Sequence, residues 1–199
     1  MSATTFQFLV LWSFILAPFL SVEGKIPESC KKNECPTYDV TEMGKDYEIR
    51  SYNSPVWIST SPFQNNSLVD ATLYGLARLI NYVEGKNKEK KVIKMTFPVI
   101  SEVSKGNSIV VSLYVPKANQ ENPPSADDLK VQRWKASYIA VRQYGRFVKD
   151  SDVKTEVAAL NASLAATKWA AKTPNAIFVA QYNFPFELYN RVNEIWFLY

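Results

Sequence analysis

Cys30 and Cys35, in the run CKKNEC, are the only cysteines of the chain, and it contains no histidine. Those two facts remove much of the side-chain chemistry that enzymes use. Without histidine there is no Ser-His-Asp or Cys-His machinery and no HExxH zinc site. Two cysteines cannot complete a four-ligand zinc site alone. In an oxidising compartment they read instead as a disulfide that ties down a short terminal loop. No P-loop or dinucleotide fingerprint is present. Glu48, Asp70 and Glu194 have no partner at catalytic spacing and read as solvated surface charges. The run GKNKEKK from Gly85 reads as a solvated turn beyond a helix C-terminus, with a gate for an anionic ligand as its functional alternative. Aromatic residues are plentiful, at 14%. They fill cores, and they also line pockets for flat ligands. Within YEIRSYNSPVWIST at Tyr47–Thr60, Ser51 stands where a metal-binding side chain would be useful.

The elements that would position these residues are legible in part. Strand patterns cover Tyr38–Val40, Tyr47–Tyr52 and Val56–Ser61, with Asn53-Ser54-Pro55 as the turn. Ser67 and Asp70 then form a capping box, and Leu68, Ala71, Thr72, Leu76, Leu79, Ile80 and Val83 recur at helical spacing up to Gly85. VIKMTFPVI places Ile93, Met95, Phe97 and Val99 on one side of a strand. SIVVSLYVP does the same for Ile109, Val111, Leu113 and Val115. KANQENPPSADD is a loop by composition. LKVQRWKASYIAVRQYG again reads as strand, turn, strand. A helix is predicted from about Asp152 to Trp169, with Val153, Val157, Leu160 and Leu164 on one face. AIFVAQYN and NEIWFLY close the chain as strands. Laying Ile49 on Val131 puts Tyr52 on Trp134 and Val56 on Tyr138, so one order of elements recurs after roughly 82 residues, a duplication rather than a solenoid. The expected fold class is α+β: a duplicated module forming a curved, mostly antiparallel sheet or distorted β-barrel with two packed helices.

Phe6 to Val22 is almost wholly apolar and Gly24 offers a small residue at a cleavage site, the pattern of a secretory signal peptide over residues 1–24. An uncleaved anchor is the competing reading. Pro18 and the lack of a basic stop-transfer flank weigh against it. A leader with the two cysteines (25–37) and one folded domain (38–199) would remain, with no stable membrane span after cleavage. Cleavage removes Glu23 and lifts the formal net charge from +4 to +5. That is too mild for a nucleic-acid footprint. Asn65 and Asn161 head glycosylation sequons that fit a secreted glycoprotein. The apolar helix faces over an aromatic sheet leave two readings open: a groove for a flat apolar ligand with cations at its mouth, or complete packing with no groove.

The order of motifs resembles one family. YEIRSYNSPVWIST, KMTFPV at Lys94–Val99, LYVP at Leu113–Pro116, VRQYGRF at Val141–Phe147 and YNFPFELYNRVNEIW at Tyr182–Trp196 are collinear with the SOUL haem-binding proteins. The resemblance spans about residues 38–198, and the signal peptide and Cys loop are similar to the secreted plant type. It implies a distorted barrel with two helices and binding of haem or related tetrapyrroles in a shallow groove beside the first helix, and it carries no implication of catalytic activity for the family as a whole. Some members carry a histidine in the YEIR strand as an axial ligand. Ser51 here is a poor iron ligand. Haem held by contact and propionate pairing, ligation by Tyr47, Tyr52 or another tyrosine, or by Met43 or Met95, and binding of metal-free porphyrin all stay open. The groove is expected at Leu73, Leu76, Ile80 and Asn81, with Arg78, Lys86 and Lys88 as propionate partners and Ser51 and Tyr52 on the adjoining strand. The expected function is a secreted, monomeric, non-enzymatic carrier of haem or metal-free porphyrin, with no metal site of its own. The alternative is an interaction module on the same scaffold that has lost its ligand. An enzyme acting on tetrapyrroles is a third reading.

Overall fold

A computed structural model describes residues 26–64, 67–104 and 108–199. The signal-peptide segment and Asn65 lie outside them. A four-residue helix α1 (Ser29–Lys32) opens the described chain. Then come β1 (Tyr38–Met43), β2 (Glu48–Tyr52), β3 (Val56–Thr60), the short β4 (Phe63–Gln64), helix α2 (Leu68–Val83), β5 (Val99–Val103) and β6 (Ser108–Tyr114). The second half supplies β7 (Leu129–Arg133), β8 (Ser137–Tyr144), helix α3 (Asp150–Leu164), β9 (Ala176–Gln181) and β10 (Asn193–Leu198).

All ten strands join one sheet in the order β1-β2-β8-β10-β9-β5-β6-β3-β7, with β4 on β6. Every ladder between neighbours is antiparallel. From β2 to β7 this order is a palindrome of two modules: β2, β3, β5, β6 and β7, β8, β9, β10. The halves meet where β5 pairs with β9, and each lends its first strand to the other. The register carries the same signature. Glu48 pairs with Val141. The residues 82 positions after Glu48 and before Val141 are Lys130 and Ser59, and these also pair.

Side chains alternate between two packed faces, as the pleat demands. Ile58, Ala140, Val179, Ile195 and Phe197 face the helices. Trp57, Ile139, Phe178, Ala180 and Trp196 face the opposite way, into an aromatic core. Trp57 on β3 and Trp196 on β10 stand four strand steps apart, roughly 19 Å on a flat sheet. Their rings are 6.3 Å apart, so the sheet curls until its inner face closes on itself.

Helix α2 lies close on β6. A Cβ on Gly75 would fall 2.5 Å from the Val111 Cβ, so only glycine allows this approach. Its N-terminus is capped twice. Ser67 Oγ accepts from Asp70 N at 3.1 Å. Asp150, the first residue of α3, accepts from the amides of Leu68 and Val69 at 2.7 and 3.2 Å and from Ser67 Oγ at 2.8 Å. A carboxylate at a helix N-terminus satisfies free amides and meets the positive end of the dipole.

Two element boundaries differ from the sequence pattern. The strand expected from Val92 begins only at Val99, because Pro98 has no amide to donate and the Phe97 amide goes to Glu34 O at 3.0 Å. The second helix stops at Leu164 rather than Trp169. The Thr167 hydroxyl donates to Leu164 O and accepts from Trp169 N, a local turn that competes with the helix.

Candidate functional site

The stripe Val69, Thr72, Leu73 and Leu76 on α2 forms one wall of an apolar cleft. Phe97 and Val99, at the entry to β5, continue that wall. The opposite side comes from the second module: Phe147 and Val148 from the β8–α3 turn, Gln181 from β9, and Asn183, Phe184, Pro185 and Arg191 from the β9–β10 turn. Val99 and Gln181 are themselves paired across the β5–β9 seam, so the cleft opens where the two modules meet. Its enclosed part is about 150 Å3, and about 680 Å3 when counted out to open solvent. Phe97 meets Phe184 edge-on at 5.1 Å, and Phe184 stacks on Phe186 at 5.2 Å. Beyond the mouth the β9–β10 turn exposes Phe186 (76%), Leu188 and Tyr189 (82%).

The motif YNFPFELYNRVNE builds this wall. Asn183 Oδ1 accepts from Val192 N at 2.8 Å, which closes the turn. Asn190 takes the left-handed backbone that asparagine tolerates. Arg191 Nη1 donates to the carbonyls of Phe184 and Glu187 at 2.9 and 2.6 Å. Asn193 Nδ2 donates to Arg146 O at 2.7 Å, tying the two cleft turns together.

Among the described residues, Arg191 is the single charged one lining the cleft. It is 8% exposed, its guanidinium lies 4.2 Å from the centre of the Phe147 ring, and its Nε has no hydrogen-bond partner. Burial pulls it below the ordinary guanidinium value, with Glu187 opposing. Among the described residues the lining offers no histidine, cysteine, methionine or tyrosine, the side chains that commonly ligate haem iron. Thr72 Oγ1 is already engaged with Leu68 O and Ser101 Oγ. The arrangement therefore suits the faces of a flat apolar ligand and one negative group. It does not suit ligation of a metal by a side chain of the lining.

Of the residues singled out from sequence, Leu73 and Leu76 line this cleft. Ile80 packs partly buried against the helix-side core and is not among the residues lining the cleft. Arg78, Asn81 and Lys86 line a separate depression with Tyr82 and Asp128. There Lys86 Nζ donates to Asn81 Oδ1 at 2.7 Å, and Arg78 sits over the Phe63 ring. Lys88 pairs with Asp127 at 2.5 Å. Tyr52 is buried on the inner face of the sheet. Ser51, half-buried, is paired in register with Tyr138, away from the cleft. Tyr47 Oη donates to Glu42, Met43 is exposed, and Met95 packs on the core. Phe97, Phe147, Phe184 and Arg191 escaped sequence reasoning as site residues. All four stand in the motifs that carried the family resemblance, but nothing in their spacing brings them together. Asn161 is exposed on α3, and Cys30 and Cys35 are joined as a disulfide.

Two other motif residues prove structural. Glu194 is fully buried, not a solvated surface charge. Its carboxylate accepts from Arg50 Nη1 and Nη2 at 3.0 and 2.9 Å, from Tyr182 Oη at 2.8 Å and from Trp196 Nε1 at 2.7 Å. Arg50 Nε reaches Glu48 at 2.9 Å. Desolvation works against the Arg50 charge, but Glu194 and the neighbouring tyrosines outweigh it and hold the guanidinium well above its ordinary value.

The family model described as SOUL heme-binding protein matches residues 33–198. Heme-binding protein 2 of Homo sapiens is 31% identical over 160 residues, covering 76% of this chain and 77% of its own. The Mus musculus heme-binding protein 2 is 29% identical over 168 residues, covering 80% and 81%. Among solved structures, a hydrolase from Listeria innocua superposes with a TM-score of 0.51 at 8% identity, covering 79% of this chain and 93% of that one. That last likeness is one of fold alone.

Proposed function

The chain belongs to the SOUL heme-binding protein family, and from that premise we propose that it is a secreted, monomeric, non-enzymatic carrier of haem or a related tetrapyrrole. The single observation that carries the reading is the cleft at the module seam: apolar walls, phenylalanine rings at its floor and rim, and one buried cation. A macrocycle would lie against Leu73, Leu76, Phe97 and Phe184. The chain has no histidine and the lining has no common iron ligand, so recognition rests on the ring and its carboxylates. Metal-free porphyrin is then as good a ligand as haem. The Cys30–Cys35 bridge supports an oxidising compartment, and the exposed Asn161 supports a glycosylated secretory route.

Visible-absorbance titration of the mature protein with haem and with metal-free protoporphyrin tests the reading. Saturable micromolar binding of both is expected. The haem Soret band should lack the shift that ligation by a protein side chain produces. Leu73→Asp should abolish binding while the fold persists, since Leu73 lines the cleft and is 45% exposed. Absence of binding to both ligands would sink the proposal. The apolar rim at Phe186, Leu188 and Tyr189 would then stand as the docking surface of an interaction module.

A further inference from the structure

We propose that the cleft reads one carboxylate: it selects flat apolar ligands carrying at least one free acid, received by Arg191, and gains little from a second. The inference rests on the tetrapyrrole reading and narrows its ligand class. Its starting point is a contrast among the arginines. Arg50 is buried against two carboxylates, Glu48 and Glu194. Arg142, partly buried, pairs with Glu156 at 2.9 Å. Arg191 is 8% exposed, yet no ion pair among the described residues includes it. Glu187, exposed on the same turn, supports the charge without pairing with it, and its carboxylate accepts from the Phe184 amide; a buried charge without a direct partner is costly and calls for one.

The geometry says what that partner is. Arg191 Nη1 is occupied by two backbone carbonyls, and the Phe147 ring covers a face of the guanidinium. Nε has no partner, and Nη2 donates to no group among the described residues. The Nε–Nη2 edge of a guanidinium is one of the two that receive a carboxylate through parallel hydrogen bonds. One such edge accommodates one carboxylate. No other lining residue among those described is charged. Nearby Arg146 and Lys149 are exposed, where an ion pair contributes little.

Three ligands distinguish the outcomes: metal-free protoporphyrin, which has two carboxylates, its dimethyl ester, which has none, and pyropheophorbide a, a monocarboxylic chlorin. Dissociation constants for the diacid and the monoacid should agree within about 3-fold, and the diester should bind roughly 10- to 100-fold more weakly. Arg191→Met should close the gap between acid and ester, read as the ratio of their dissociation constants, because losing the bonds to Phe184 O and Glu187 O weakens all three ligands together. Arg191→Lys should restore part of that gap. A role limited to bracing the β9–β10 turn would instead leave the acid–ester ratio of the variant as large as that of the natural chain. Equal binding of diacid and diester, or a monoacid that behaves like the diester, overturns the proposal on the unaltered protein. If none of the three binds, the tetrapyrrole reading itself falls. Where Arg191→Met fails to fold, the three-ligand series on the natural chain still decides.

Discussion

Glu194 and Arg50 sit in the two motifs that most clearly mark the family, YEIR and NEIW, and neither touches the cleft. Together they neutralise charge inside the aromatic core. Removing one partner leaves the other buried and unpaired, which costs about 3–5 kcal/mol. Glu194→Ala should therefore lower unfolding free energy by that amount in urea denaturation, whereas loss of the exposed pair Lys88–Asp127 should leave it almost unchanged. Buried tyrosines make a separate prediction about pH. Burial, with a contribution from Glu89, pushes Tyr82 up to about 12. Burial, then Glu194, holds Tyr182 well above its ordinary value. These groups are neutral in the fold and ionise more readily when unfolded. Their stabilisation is thus full below about pH 10 and declines as pH rises through the folded values. Urea midpoints should be level from pH 7 to 9 and fall from pH 10 to 12. Tyr82→Phe should flatten part of that fall, and an unchanged slope would refute the assignment.

Among the elements, α2 was legible in its Ser67 cap, apolar stripe and closing Gly85, which lie within one stretch of chain, but not in its second cap, which Asp150 brings from α3. The Val92 strand and the end of α3 were misjudged because distant or competing bonds decided them: Glu34 takes the Phe97 amide, and Thr167 folds the chain back. The N-terminal loop shows what such a contact can do. Helix α1 has four residues, too few to persist alone. The Cys30–Cys35 bridge holds it beside Glu34, whose carbonyl takes the Phe97 amide and whose Oε1 accepts from Lys117 N at 2.7 Å. Phe97 is a cleft residue. Replacing both cysteines by serine should cost about 2 kcal/mol, speed hydrogen exchange at the Phe97 amide, and weaken tetrapyrrole binding without removing Arg191-dependent discrimination. Unaltered exchange at Phe97 would show that the loop and the cleft are independent.

At the scale of the molecule, the exchanged first strands make the two modules one folding unit. β2 finds its place beside β8, and β7 beside β3, so neither half can complete its share of the sheet. A fragment of residues 25–127 should be unfolded by circular dichroism, and the whole chain should unfold in one transition. A folded fragment would contradict this. The sequence by itself determined the repeat of roughly 82 residues, the family and most element types, though not α1 or β4, because alternation, helical spacing and motif order are properties of neighbours along the chain. It also pointed to Leu73 and Leu76, which share one helix. Only the tertiary structure decided where the cleft lies and that Arg191, not Arg78 or Lys86, is its cation. A cleft at a seam takes its walls from both modules, residues 69 and 191 among them, and no pattern within either one specifies which turn will close over the other's helix.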